Sequence, residues 1–217
     1  MSRPRFRRRK DDRPEEITRA ALAAFAEKGY AATRVTDVAK RAGVSKGLLY
    51  LYFRTKEELF KAVIKSVVSP RIEALQKTID QTELSAEDYL RGPFLELARQ
   101  LPKSPARVLV RLMIAEGHRH PDLTAWYWEN VVAHGLGALR KLIQRGVDAG
   151  EFRPSAVQEF PQLLISPVLT SVAWSIVFDP HHELDSDRFI EAHVDLLIRA
   201  IRAPGNTQGR NGKAGSP

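Results

Sequence analysis

The chain has no cysteine among its 217 residues. That excludes a disulfide framework, a thiolate metal site and a cysteine nucleophile, and it suits a reducing compartment. Long apolar runs are missing as well. None approaches the roughly 18 residues a spanning helix needs, so no membrane partner is expected. The N-terminus is basic, but no apolar stretch follows it as in a secretory leader. These absences predict a soluble, cytoplasmic protein. No alternating stretch of strand type stands out, and no internal repeat. Nor does a Ser-His-Asp order, a glycine-rich phosphate loop or a paired-carboxylate pattern rise above chance. No catalytic residue, cofactor or enzymatic activity is therefore expected.

Charge is present in excess of one sign, and unevenly. The net charge is +8. Residues 1–13 contribute +5, residues 14–61 +3, residues 62–203 −2 and residues 204–217 +2. The positive excess outside the two ends thus lies in the N-terminal quarter, which points to an anionic partner there.

Helical signals follow one another along the chain, so the predicted fold class is all-α, with about nine helices. Residues 1–13 read as a flexible basic arm carrying Arg3, Arg5, Arg7, Arg8 and Arg9. The arm either enters a minor groove or only solubilises. Pro14, Glu15 and Glu16 suit a first helical turn. Ile17, Ala21, Ala24 and Phe25 share one face, Gly29 ends the helix, and Tyr30 plugs the same small core. Thr36 is the expected N-cap of a second helix, Gly43 gives a sharp turn, and Ser45 caps a third helix through Tyr52. Thr55-Lys-Glu-Glu58 is a capping box that opens a fourth helix. Pro70 is expected to kink or break it. Further helices are predicted from Ser85, Ser104-Pro105 and Pro121, then over 155–178 with interruptions at Pro161 and Pro167, and over 186–202. The end from Pro204 reads as a disordered tail.

Two short helices around Gly43 make a helix-turn-helix over about 34–53. The ordered string runs from Ile17 to Val63. It includes Lys28-Gly-Tyr30, Thr36-Asp-Val-Ala-Lys-Arg-Ala-Gly43, Val44-Ser-Lys-Gly47, Leu49-Tyr-Leu-Tyr-Phe53 and Lys56-Glu-Glu-Leu59. This string resembles the TetR family of bacterial transcription regulators. The resemblance implies a three-helix DNA-binding domain over 14–60 and a ligand-binding and dimerisation domain over 61–203. It also implies double-stranded DNA, a small-molecule effector and a second copy of the chain as partners.

A recognition helix lies in the major groove while its neighbour crosses the backbone. The expected DNA contacts are Arg34, Thr36, Ser45, Lys46, Gly47, Leu48, Tyr50, Tyr52 and Lys56. Thr36 and Ser45 offer hydroxyls near phosphates, Lys46 a cation, and Gly47 close backbone approach. Tyr50, Tyr52 and Lys56 resemble the family's aromatic and lysine contacts. Leu49 and Phe53 are expected to face the core. Leu48 and Leu51 are apolar at recognition-helix positions; thymine methyls and simple packing both remain open for them.

The C-terminal two-thirds resembles the family in helix layout. Phe94, Met113, Trp126, Asn130, Thr170 and Trp174 are the expected effector-pocket residues, mixing aromatics with a few polar groups. They suit a small apolar or aromatic effector that releases a repressor from a palindromic operator. The alternative is an effector-less regulator of the same fold that works with a protein partner. The last two helices usually pair across a two-fold axis in this family. Leu164, Val168, Val172, Phe189, Leu196 and Leu197 are the expected dimer seam. Trp126-Tyr127-Trp128 cannot all face inward, because consecutive helical positions fan out by about 100°. Glu116 and His120 stand i, i+4, a spacing able to chelate, but the surrounding His-Arg-His-Pro run reads as exposed, and no metal site is expected.

Overall fold

The computed structural model describes residues 13–179 and 181–204. The expected basic arm, apart from Arg13, and the expected tail beyond Pro204 lie outside them. The described residues are helical, with no strand but one isolated bridge between Phe152 and Arg202. They fall into two compact units. One joins the residues up to Glu73 with Pro105–Val131; the other joins Ala74–Ser104 with the residues from Val132 on.

The first unit opens with α1, Arg13–Ala32, whose acidic first turn holds Glu15 and Glu16 against the positive helix end. Ile17, Ala21, Ala24 and Phe25 are buried along one face. The backbone leaves helical geometry at Gly29 (φ 79°, ψ 172°). Tyr30 then turns into the core, its ring 5.7 Å from Phe25 and 4.9 Å from Phe60, while Phe25 and Phe60 meet edge to face at 5.0 Å. Helices α2 (Val35–Arg41), α3 (Lys46–Tyr52) and α4 (Lys56–Gln81) follow. Helix α7, Ala106–Glu116, packs on α1 through its apolar face and buries Leu109 and Leu112. A short turn and α8, Pro121–Tyr127, complete the unit.

Pro70 does not break α4, which is one helix from Lys56 to Gln81. The helix forgoes the single hydrogen bond that a proline nitrogen cannot donate, and the Arg71 guanidinium donates to the Val67 carbonyl one position on. Pro167 is likewise inside a helix, its carbonyl accepting the Ser171 hydroxyl at 2.8 Å.

The second unit contains α5 (Ala86–Tyr89), a wide π turn (Leu90–Phe94) and α6 (Leu95–Gln100). It continues with α9 (Ala133–Asp148), α10 (Ala156–Glu159), α11 (Gln162–Val177) and α12 (Ser186–Ile201). Its core gathers Tyr89, Phe94, Leu142, Ile143, Leu164, Val168, Ile190, Val194 and Ile198. The α12 residues recur every fourth position, which is one stripe of an amphipathic helix. The helix expected from Pro121 runs as α8, a π turn at Trp128–Val132 and α9, with helical backbone at both junctions.

An ion-pair network crosses this unit. Arg91 donates to Glu87 at 2.9 Å and to Asp195 at 3.0 Å; Arg202 also donates to Glu87, and Arg199 to Asp195 at 2.8 Å. Burial alone would raise the Glu87 carboxyl, but Arg202 and Arg91 outweigh it and hold it below its ordinary range. The Arg91 hydrogen bond does the same for Asp195. Folded values below the unfolded ones give stability that is full above the ordinary pKa and lost as pH falls through the folded value. The melting temperature is therefore expected to fall on acidification below the ordinary values of 4.5 and 3.8. Thermal melts across pH 3–7 check this, and Glu87→Gln should flatten the acid limb.

Candidate nucleic-acid interface

Helix α2 is capped by Arg34, in extended geometry, and not by Thr36 as expected. Asp37 decides this: its carboxylate accepts the Arg34 backbone N–H at 3.4 Å and the Lys28 ammonium at 2.8 Å. Thr36 is left as an exposed side chain on the first turn. Gly43 has φ 65°, the left-handed conformation the turn demands. Ser45 then caps α3, its hydroxyl accepting the Leu48 N–H at 3.1 Å.

The helix phase of α3 sorts its side chains. Leu49 is fully buried and Phe53, just past the end, is 9% exposed. Positions about 100° to either side carry Lys46 and Tyr50 on one flank and Leu48 and Tyr52 on the other. Lys46 and Tyr50 are exposed, with the ammonium 5.7 Å from the Tyr50 ring centroid. Leu48 and Tyr52 are half-buried. Gly47 lies on the outward line, where an added Cβ would find only Ser45 Oγ, at 4.0 Å.

Charge follows the same elements. Residues 33–56 carry six Lys or Arg against one acidic residue. Arg41 pairs with Glu27 at 2.5 Å. Lys40, Lys46 and Arg54 make no ion pair among the described residues. Arg34 is exposed at the start of the same surface. A compact helix pair with free cations and an outward helix face fits a duplex groove flanked by phosphates.

Lys56 sits differently from a free surface cation. Its ammonium donates to the carbonyls of Tyr30 and Ala31, each at 3.0 Å, and lies 4.6 Å over the Tyr30 ring. Burial pushes its pKa down, although the nearby Glu116 carboxylate pulls it back up. Two of its three donors are thus engaged on the protein.

Glu116 braces the same turn from the other side. Its two carboxylate oxygens accept the N–H groups of Tyr30 and Ala31, each at 2.7 Å, from the C-terminal end of α7. His120 stacks edge-on against Tyr30 at 4.7 Å. The carboxylate considered as half of a chelating pair therefore caps a backbone turn 85 residues away in sequence. No local signal links the two segments; the glycine at position 29 is the one hint that something approaches the backbone there.

The six expected effector residues divide between the units. Met113, Trp126 and Asn130 are in the first, Phe94, Thr170 and Trp174 in the second. The Trp126 ring lies under the ammonium groups of Lys61 and Lys65 at 5.5 and 5.7 Å. Asn130 is exposed, its amide donating to the Trp126 carbonyl at 2.9 Å. Phe94 is sealed in the core, Thr170 is exposed, and the Trp174 indole N–H donates to the His182 carbonyl at 2.7 Å. An open groove of about 450 Å³ on the second unit, lined by Gln76, His134, Gly137 and Lys141, takes none of them.

Of the expected dimer seam, Leu164, Val168 and Val172 are spent in the protomer's own core, at 0–2% exposure. Phe189 and Leu197 are half-buried, and Leu196 is 66% exposed. The structure turns this stripe of α11 inward; the helix is apolar all round, and periodicity does not assign its faces. Leu169 and Ile176, seven positions apart, are exposed apolar residues on it, and Val177 at its end is exposed as well.

Residues 17–63 match the family described as bacterial regulatory proteins, tetR family. Residues 83–197, more than half of the chain, match the tetracyclin repressor-like C-terminal domain. The chain belongs to the TetR family. The fatty acid metabolism regulator protein of Bacillus subtilis is 35% identical over 196 residues, covering 88% of this chain and 98% of that protein. The HTH-type transcriptional repressor KstR2 of Mycobacterium tuberculosis is 30% identical over 196 residues, covering 90% and 96%. Among solved structures, FadR from Bacillus subtilis in complex with stearoyl-CoA shares the fold. Its TM-score is 0.72 at 22% identity, and the match covers 87% of this chain and 99% of that one. Like its relatives, this TetR-family member is a DNA-binding transcriptional regulator and not an enzyme. Among the described residues no helix is long and apolar enough to cross a membrane.

Proposed function

We propose that the protein is a dimeric repressor that reads a palindromic operator through α3 and is released by an apolar effector. One observation carries the DNA half. The buried pair Leu49 and Phe53 fixes α3 so that Lys46, Gly47 and Tyr50 face outward amid unpaired cations. Arg34, Thr36, Ser45, Leu48 and Tyr52 border that face, and Lys56 holds the turn behind it. Two-fold symmetry sets the half-sites about 34–36 Å apart or somewhat more. Leu169, Ile176 and Leu196, exposed on α11 and α12, are the apolar residues we assign to the dimer face.

Support for the effector class comes from relatives. A protein 35% identical is a fatty acid metabolism regulator, and a structure of the same fold holds stearoyl-CoA. An acyl thioester is the effector we assign. It must bind the DNA-incompetent state more tightly, because equal affinity for both states shifts nothing. The burial of Phe94, one of the expected pocket residues, favours a second reading, a regulator without an effector that works with a protein partner. Titrating stearoyl-CoA into the protein–operator complex decides between them. Release at micromolar acyl-CoA, with none by free coenzyme A, is expected; an unchanged complex up to millimolar acyl-CoA overturns the effector reading.

A further inference from the structure

Leu51 is 76% exposed, the most exposed of the large apolar side chains among the described residues. It lies two positions after the buried Leu49 and so about 200° round α3 from it. That places it on the outermost line of the helix. The other residue on that line is Gly47, one turn earlier, which has no side chain. The centre of the outward face is therefore one isobutyl group with an open gap beside it. The hydrogen-bonding side chains Lys46 and Tyr50 stand to one side.

The exposure leaves Leu51 no packing role among the described residues. A leucine held in water at the middle of a cationic surface gains only if an apolar group on an anionic partner covers it. In the major groove the one apolar group a base presents is the C5 methyl of thymine. Cytosine N4 and the guanine acceptors, placed against Leu51, would lose water and find no partner. Resting on α3 as the base-reading helix, we propose that Leu51 is a specificity-determining residue that reads a thymine C5 methyl in each half-site.

Deoxyuridine differs from thymidine by that methyl alone, so it is the probe. Full-length protein is used to select an operator from a random duplex pool. Each symmetric pair of thymines is then replaced by deoxyuridine, and affinity is read by fluorescence anisotropy at low salt, where phosphate contacts hold even weak complexes. One pair should lower affinity about fifteenfold, or about fourfold per methyl. Leu51→Ala should bind thymine and deoxyuridine duplexes equally, and Leu51→Met should restore the preference. The side chain is exposed, so the melting temperature should not move. No thymine pair that discriminates in the wild type overturns the assignment, as does undiminished discrimination in Leu51→Ala. Failure to select any sequence would overturn the reading of α3 itself; a selected operator indifferent to its methyl groups would overturn only the role of Leu51.

Discussion

Gly29→Ala should lower the unfolding free energy by about 3–5 kcal/mol and weaken operator binding with it. Two independent costs meet at this residue. Its φ of 79° with ψ of 172° lies in a region that side-chain-bearing residues almost never adopt. An added Cβ would also stand 2.6 Å from Glu116 Oε1. That carboxylate holds the N–H groups of Tyr30 and Ala31, and Lys56 holds their carbonyls, so the turn that follows Gly29 at the end of α1 is tied on both sides. Hydrogen bonds to a charged group are worth about 1.5–3 kcal/mol each, and displacing the carboxylate forfeits part of two. Urea titration measures the loss. A double-mutant cycle with Glu116→Ala separates the terms: the truncation removes the clash but leaves the backbone strain, so Gly29→Ala should cost less in that background. Equal stability of Gly29→Ala and the wild type would mean the turn does not need its glycine.

Lys46→Ala and Tyr50→Ala should each weaken operator binding by about tenfold to a hundredfold, with melting temperatures unchanged. Both side chains are exposed on α3 and touch one another, so neither supports the fold. Salt should act in the same direction and further. If each protomer neutralises three to five phosphates, affinity falls by about 10³ or more between 50 and 200 mM salt. Lys46→Ala should make that slope shallower by about two for a dimer, since one counterion contact is lost per protomer. Tyr50→Ala should leave the slope nearly unaltered. Identical slopes for wild type and Lys46→Ala would remove the lysine from the phosphate surface.

The N-terminal unit was legible because its signals are local. Gly29, Gly43, Ser45 and the pair Leu49 and Phe53 each act within one helical turn, and the structure places them as their spacing predicts. The N-cap of α2 falls at Arg34 and not at Thr36 because the Asp37 carboxylate reaches back to the Arg34 N–H. The second unit was less legible for a different reason. Helix α11 is apolar on every side, so its sequence does not say which stripe faces inward; the structure buries Leu164, Val168 and Val172. Proline acts in two ways: Pro161 separates α10 from α11 as its position predicts, whereas Pro70 and Pro167 each sit within a helix that forgoes one hydrogen bond. The contact between Glu116 and the turn at Tyr30 joins segments about 85 residues apart and leaves no periodic trace.

In the proposed function α3 reads sequence in two symmetric half-sites. The most direct test of this is the affinity of the full-length protein for a selected palindromic duplex, set beside the same duplex with one half-site scrambled. Both are measured at one fixed salt concentration, together with the stoichiometry. Two protomers per palindrome are expected, with an affinity loss of at least about a hundredfold on scrambling. Equal affinity for the intact and scrambled duplexes would mean that charge alone explains the binding and that α3 reads no sequence.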